Sequence, residues 1–206
     1  MTDPLPANFQ ANIDRLFHRL ILPGLDSLKI HDDLKSGEAS SMEEFLTWSA
    51  AQVDNHTANE AAKAFTLVLS AMFERQLRIW MRSWSDGNLR EKSERMKFPD
   101  LVAAWAKHTE ESLVDEALME SLVEMFLVAN VFRHGDGTSV RQLQDKAPQL
   151  WNYDRSRYVD ILPPNPDHSE RLLLYPKDVF RYAEACARFW GLVDSDPLAF
   201  KNTRYG

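Results

Sequence analysis

Phe65-Thr66-Leu67-Val68-Leu69-Ser70-Ala71-Met72-Phe73-Glu74-Arg75-Gln76-Leu77-Arg78-Ile79-Trp80 is the stretch that decides the fold class. Within residues 57–84, Phe65, Leu69, Met72, Phe73, Leu77, Trp80 and Trp84 recur at helical spacing and form one apolar stripe. Glu60, Lys63, Ser70, Glu74, Arg78 and Arg82 fall off that stripe. Glu74 precedes Arg78 by one turn, the favourable order for an ion pair along a helix. The pattern predicts a long amphipathic helix over 57–84, closed by Asp86-Gly87-Asn88.

The same period recurs on both sides. Phe9, Ile13, Leu16, Phe17, Leu20 and Ile21 predict a first helix over residues 8–22, interrupted by Pro23-Gly24. Leu25, Leu28, Ile30 and Leu34 then run into a polar loop from Lys35 to Ser41, and Ser40 or Ser41 caps a helix from Glu43 to Val53. Beyond the long helix, Asn88 or Ser93 starts a short element, and Phe98-Pro99-Asp100 leads into a helix over 99–108. Leu113, Leu118, Leu122, Met125, Ala129 and Phe132 give a further helix ending at His134, with Glu116, Glu120 and Glu124 on another, solvated face. Ser139-Val140-Arg141-Gln142 has the form of a capping box for a helix over 139–146.

From Arg157 the pattern changes. Arg157 to Leu162 and Glu170 to Tyr175 are rich in Tyr, Val, Ile and Leu around Pro163-Pro164-Asn165-Pro166, which predicts a small two-stranded antiparallel ribbon. Pro176 suits a first helical turn, and Val179, Tyr182, Ala183, Cys186, Phe189 and Trp190 form the apolar face of a last helix. The tail from Ser195 is expected to be loosely held.

Composition bounds the function classes. A chain of 206 residues with 44% hydrophobic content, 11 Phe and 6 Trp can bury one full core. The net charge of -7 excludes a broadly basic nucleic-acid surface, so RNA binding would be local and no DNA partner is expected. Cys186 is the only cysteine, which rules out an intrachain disulfide and a cysteine zinc site. With no leader pattern after Met1-Thr2-Asp3-Pro4 and no apolar run long enough for a membrane span, a soluble, cytoplasmic protein is expected.

Asn130-Val131-Phe132-Arg133-His134-Gly135-Asp136-Gly137 is the candidate site. Asn130 and His134 share a helix face, Arg133 lies beside them, and Gly135 suits the residue that closes the helix. Metal-free cleavage of an RNA phosphodiester needs acid-base groups and a cation against the crowded phosphate, chemistry that His and Arg supply. One imidazole is short of two proton roles, so a symmetric dimer would provide the second. Phe126, Val128 and Ile79, off the main apolar faces, mark the surface for it. The same cations also complement the negative end of a helix dipole with no catalytic role. His18 after Asp14 reads as a helix-surface pair. His31, His56, His108 and His168 show no metal-ligand spacing, and neither cofactor nor metal is expected.

Phe73-Glu74-Arg75-Gln76-Leu77 on a long helix, the later helix end at Asn130 to Gly137, and a closing helix after Tyr175-Pro176-Lys177-Asp178-Val179 together resemble the HEPN superfamily. The resemblance spans roughly residues 57–190. It implies a helical bundle that dimerises with its Arg and His helix ends in one cleft. Many members are metal-independent endoribonucleases of toxin, antiviral or RNA-processing systems, and others are inactive RNA-binding or scaffold versions. Asn130 matches the family's polar position and His134 its histidine, while Ala129 stands at the arginine position. Arg133, or Arg75 or Arg78 from the long helix, would then supply the phosphate clamp.

The expectation is a mainly α, single-domain, HEPN-like up-and-down bundle over residues 1–206, with core 57–190, an N-terminal helical extension 8–53 and a C-terminal β-ribbon. Its expected activity is metal-independent cleavage of RNA in a defence or stress-response system, using His134, Arg133 and Asn130. The alternative is a non-catalytic HEPN-like interaction or RNA-binding module. A homodimer and a partner protein encoded nearby complete the expectation.

Overall fold

A computed structural model describes residues 5–32, 39–84, 87–108, 115–152 and 169–193. Its helices are α1 (Leu5–Leu16), α2 (Leu22–Asp26), α3 (Met42–Trp84), α4 (Gly87–Arg95), α5 (Phe98–His108), α6 (Glu116–His134), α7 (Thr138–Lys146) and α8 (Pro176–Val193). Among the described residues there is no strand, and no helix is long and apolar enough to cross a membrane.

Four of these helices make an up-and-down bundle. Phe9 of α1 packs on Trp190 near the end of α8, whereas Phe17 packs on Phe180 near its start, so the two run antiparallel. Tyr182 reaches Glu124 and Arg188 reaches Asp115, which sets α8 antiparallel to α6. Asn59 bonds the segment just before α8 and Gln76 bonds Trp190 near its end, so α3 runs parallel to α8. Phe73, Phe189 and Trp190 meet edge to face or tilted at 5.0 to 5.7 Å between centroids in the middle of this bundle. Each such fully buried ring contributes roughly 1.5–3 kcal/mol. The short α5 closes one side, stacking Phe98 on Phe126 at 4.6 Å and setting Trp105 against Phe189 at 4.3 Å.

Several sequence expectations are corrected here. The first helix does not stop at Pro23-Gly24. A π-helical turn over Phe17–Ile21, in which the Leu22 N–H donates to the Phe17 carbonyl, widens the backbone and carries the helix past the proline into α2. Gly24 allows close approach to α3, because a Cβ there would lie 2.6 Å from Phe65 Cζ. The helices expected over 43–53 and 57–84 are one helix of 43 residues, about 65 Å long at 1.5 Å per residue. Its start is capped as expected: Ser41 Oγ accepts from the Glu44 N–H at 3.2 Å, and the Glu44 carboxylate accepts from the Ser40 N–H at 2.7 Å.

The β-ribbon is not formed. Its second half is a 3-10 turn over Ser169–Arg171 followed by irregular backbone to Tyr175, and its first half, Arg157 to Leu162, lies outside the described residues. The backbone there is satisfied by other groups than a neighbouring strand. Asn59 donates to the Leu172 carbonyl at 3.1 Å and accepts from the Leu174 N–H at 2.8 Å, and the Leu173 N–H donates to the Leu150 carbonyl at 2.8 Å. The capping box at Ser139 is not made either. Gly137, at φ 155°, is the N-cap, so Ser139 already sits inside the first turn of α7. The tail from Ser195 lies outside the described residues.

Candidate functional site

The end of α6 is held from both sides. Asp115 caps its start by accepting from the Ala117 N–H at 3.0 Å, and Gly135, at φ 68°, ends it by donating to the Val131 carbonyl at 2.9 Å. The Asp136 carboxylate then accepts from the Ser169 N–H at 2.7 Å, which pins the turn to the segment leading into α8. On this fixed end Arg133 and His134 are exposed and Asn130 is half-buried. No described residue partners any of these three side chains.

Ala129 is 2% exposed, so the position where the resemblance expects arginine faces the core. Neither substitute on α3 takes that place. Arg78 pairs with Glu74 at 2.7 Å and donates to the carbonyls of Ser93 and Met96 at 2.7 and 2.9 Å, which fastens the C-terminal end of α4. Arg75 is exposed on α3. The α3 residue linked to the α6 end through the pre-α8 segment is Asn59, which leaves Glu74 and Arg75 roughly 20 Å further along the helix axis. Arg133 remains the cation beside His134.

Beyond the α6 end, Gly137 contributes no side chain to the start of α7, and no side-chain cap bond is made there. The first-turn N–H groups, at the positive end of the α7 dipole, therefore receive no side-chain cap from the N-cap residue. Arg141, one turn on, is exposed.

Spacing predicts a solvated acidic row on α6, and the structure corrects this at one of its three members. Glu124 is 6% exposed. It accepts from the Tyr182 hydroxyl at 2.6 Å and pairs with Arg181, which also donates to Ser121 Oγ at 3.3 Å. Burial and the neighbouring Glu124 push the Tyr182 phenol far above its ordinary range. Burial also raises the Asp178 carboxyl, against the lowering pull of the Tyr175 N–H and Arg181. For Arg181 burial works downward, and the Glu124 hydrogen bond together with the charges of Tyr182, Glu124 and Asp178 outweighs it, so its pKa is raised. With the Glu124 carboxylate buried and bonded to both Tyr182 and Arg181, this cluster ties α6 to α8.

A feature that spacing alone did not single out is the pair Asn55 and Asn59 on α3. Asn55 accepts from the His31 N–H at 2.8 Å and donates to the His31 carbonyl at 2.9 Å, as Asn59 does for Leu174 and Leu172. Two chain segments are thus held against α3, with a cavity of about 310 Å³ between them lined by Ile30, Ala58, Leu173 and Leu174. Its signal in the sequence is two asparagines, poor helix formers, one turn apart in a long helix. His31 pairs with Asp54 at 2.8 Å, and His18 pairs with Asp14 at 3.4 Å on the exposed side of the first helix, as its spacing suggested. Among the described residues no three His, Cys, Asp or Glu side chains are grouped to hold a metal ion.

Comparison with known protein families, curated proteins and solved structures finds no match to this chain.

Proposed function

We propose that the chain is a HEPN-like helical module that binds RNA phosphate at the α6–α7 junction without cutting it. The observation that carries this reading is the junction itself. The exposed Arg133 and His134 stand four and three residues before Gly137, the N-cap of α7, which makes no side-chain cap bond. A guanidinium, an imidazole and a positive dipole end on one fixed turn are what a phosphate oxygen needs. The buried Ala129 removes the second cation that would stabilise a transition state, and one imidazole cannot fill both proton roles.

The cutting activity of a defence or stress-response endoribonuclease is the second reading, favoured by the exposure of His134 one turn beyond Asn130. Incubation of single-stranded RNA with the protein in excess chelator separates the two. Binding without cleavage is the expected result. Chelator-resistant cleavage that leaves 2',3'-cyclic ends and is lost in His134→Ala would overturn the binding-only reading.

A further inference from the structure

The residues expected to face a twofold partner are used within the chain: Val128 is fully buried, Phe126 stacks on Phe98 and Ile79 packs against the core. Unfilled space lies instead between α3 and the two segments that its asparagines hold, in the cavity of about 310 Å³. That volume equals about ten water molecules' share of the liquid, and it stands at the small end of ligand pockets, roughly 300–1,000 Å³.

The lining selects an occupant. Ile30 and Ala58 on one side and Leu173, Leu174 and Pro176 on the other make its walls largely apolar, which suits a short aliphatic body or a single ring. Asn59, which also lines it, is 6% exposed. Its carboxamide can make four hydrogen bonds, and its two to protein are those to Leu172 and Leu174, so a second N–H and a second lone pair remain for a polar atom of the occupant. Among the described residues that line the cavity Asp32 carries the only charge, and it is exposed at the rim. Asp54, beside Asn55 on α3, adds a second carboxylate nearby, paired with His31 at 2.8 Å. The nearest cation with a contact to the lining is Lys177, whose Nζ lies 5.5 Å from the centroid of the Tyr175 ring. The aromatic wall thus accepts a positive charge. We propose that this cavity binds a small organic amine, with the apolar body between α3 and the pre-α8 segment and the ammonium on Asp32 and the Tyr175 ring, in place of Lys177. A carboxylate on the same body would meet Asp32 with only Lys177 to offset the repulsion. This site is separate from the α6–α7 junction, and either reading stands without the other.

Calorimetric titration of the full chain with 2-phenylethylamine, 2-phenylethanol and phenylacetate, three probes that share one ring and differ in charge, tests the assignment. The amine should bind about threefold to tenfold more tightly than the alcohol, and the carboxylate should bind most weakly. Asp32→Asn should bring the amine down to the level of the alcohol and leave the alcohol unchanged. Lys177→Gln should tighten the amine, because it removes the competing cation. Asp32 and Lys177 are both exposed, so neither change touches the core. Ala58→Leu, which extends a side chain from α3 into the cavity, should abolish binding of amine and alcohol alike, with helix content by circular dichroism unchanged. An amine that does not bind at millimolar concentration, a carboxylate bound as tightly as the amine, or an amine affinity indifferent to Asp32→Asn would each overturn the proposal.

Discussion

Glu124 is the buried charge on which α6 and α8 agree, and its partners make the chain sensitive to alkali. The Tyr182 phenol is raised above its ordinary value of 10.0 and the Cys186 thiol well above 9.0, both through burial. A raised pKa means that the folded chain holds its proton more tightly than the unfolded one. The stability from each group is therefore complete below its unfolded pKa and is lost as pH climbs beyond it. The slope is about 1.4 kcal/mol per pH unit per group. Urea unfolding between pH 8 and 11 should show stability falling first from near pH 9.0 and more steeply above 10.0. Cys186→Ala should remove the first component and Tyr182→Phe the second. Stability that stays level through this range would contradict the burial of both groups. None of this was legible from residue types, because Glu124 shares its spacing with Glu116 and Glu120, and only the sequence-distant Arg181 and Tyr182 distinguish it.

At the level of elements, α3 acts as a template on which other segments take their backbone partners. Asn59 satisfies one carbonyl and one N–H of the pre-α8 segment, and both asparagine positions are buried. Asn59→Ala should cost roughly 2–4 kcal/mol, the sum of two backbone groups left without partners, as measured by chemical denaturation. A loss under about 0.5 kcal/mol, the range of an ordinary surface change, would show that water replaces the carboxamide. The helices themselves could be read from their 3.6-residue period, and so could the Ser40–Ser41 cap, the Pro176 start and the Gly135 stop. What misled was local chemistry with a tertiary answer. Leu172 to Leu174 carry strand-like residues but bond to a side chain and a distant carbonyl. Pro23 ends a regular α-helix but not one relaxed by a π turn. Ser139 has the right spacing for a box, but Gly137 starts the helix too early for it.

Over the whole molecule, a chain of net charge -7 has exposed cations on both sides of one turn, Arg133 and His134 before the start of α7 and Arg141 one turn into it. The residue types of this site were legible from sequence. Its context was not: Arg78 looked equally able to serve, and only the position of α4 shows that it is spent on the carbonyls of Ser93 and Met96. The uncapped α7 start was hidden behind an apparent capping box. The most direct test of phosphate binding at this junction is a salt titration of single-stranded RNA affinity for the wild type and Arg133→Gln, paired with melting of both. The account predicts weaker binding for the variant, a salt slope reduced by about one counterion, and little change in stability. Unaltered RNA affinity together with a stability loss on the order of 0.3–1 kcal/mol would contradict it, because Arg133 would then serve only the α6 dipole.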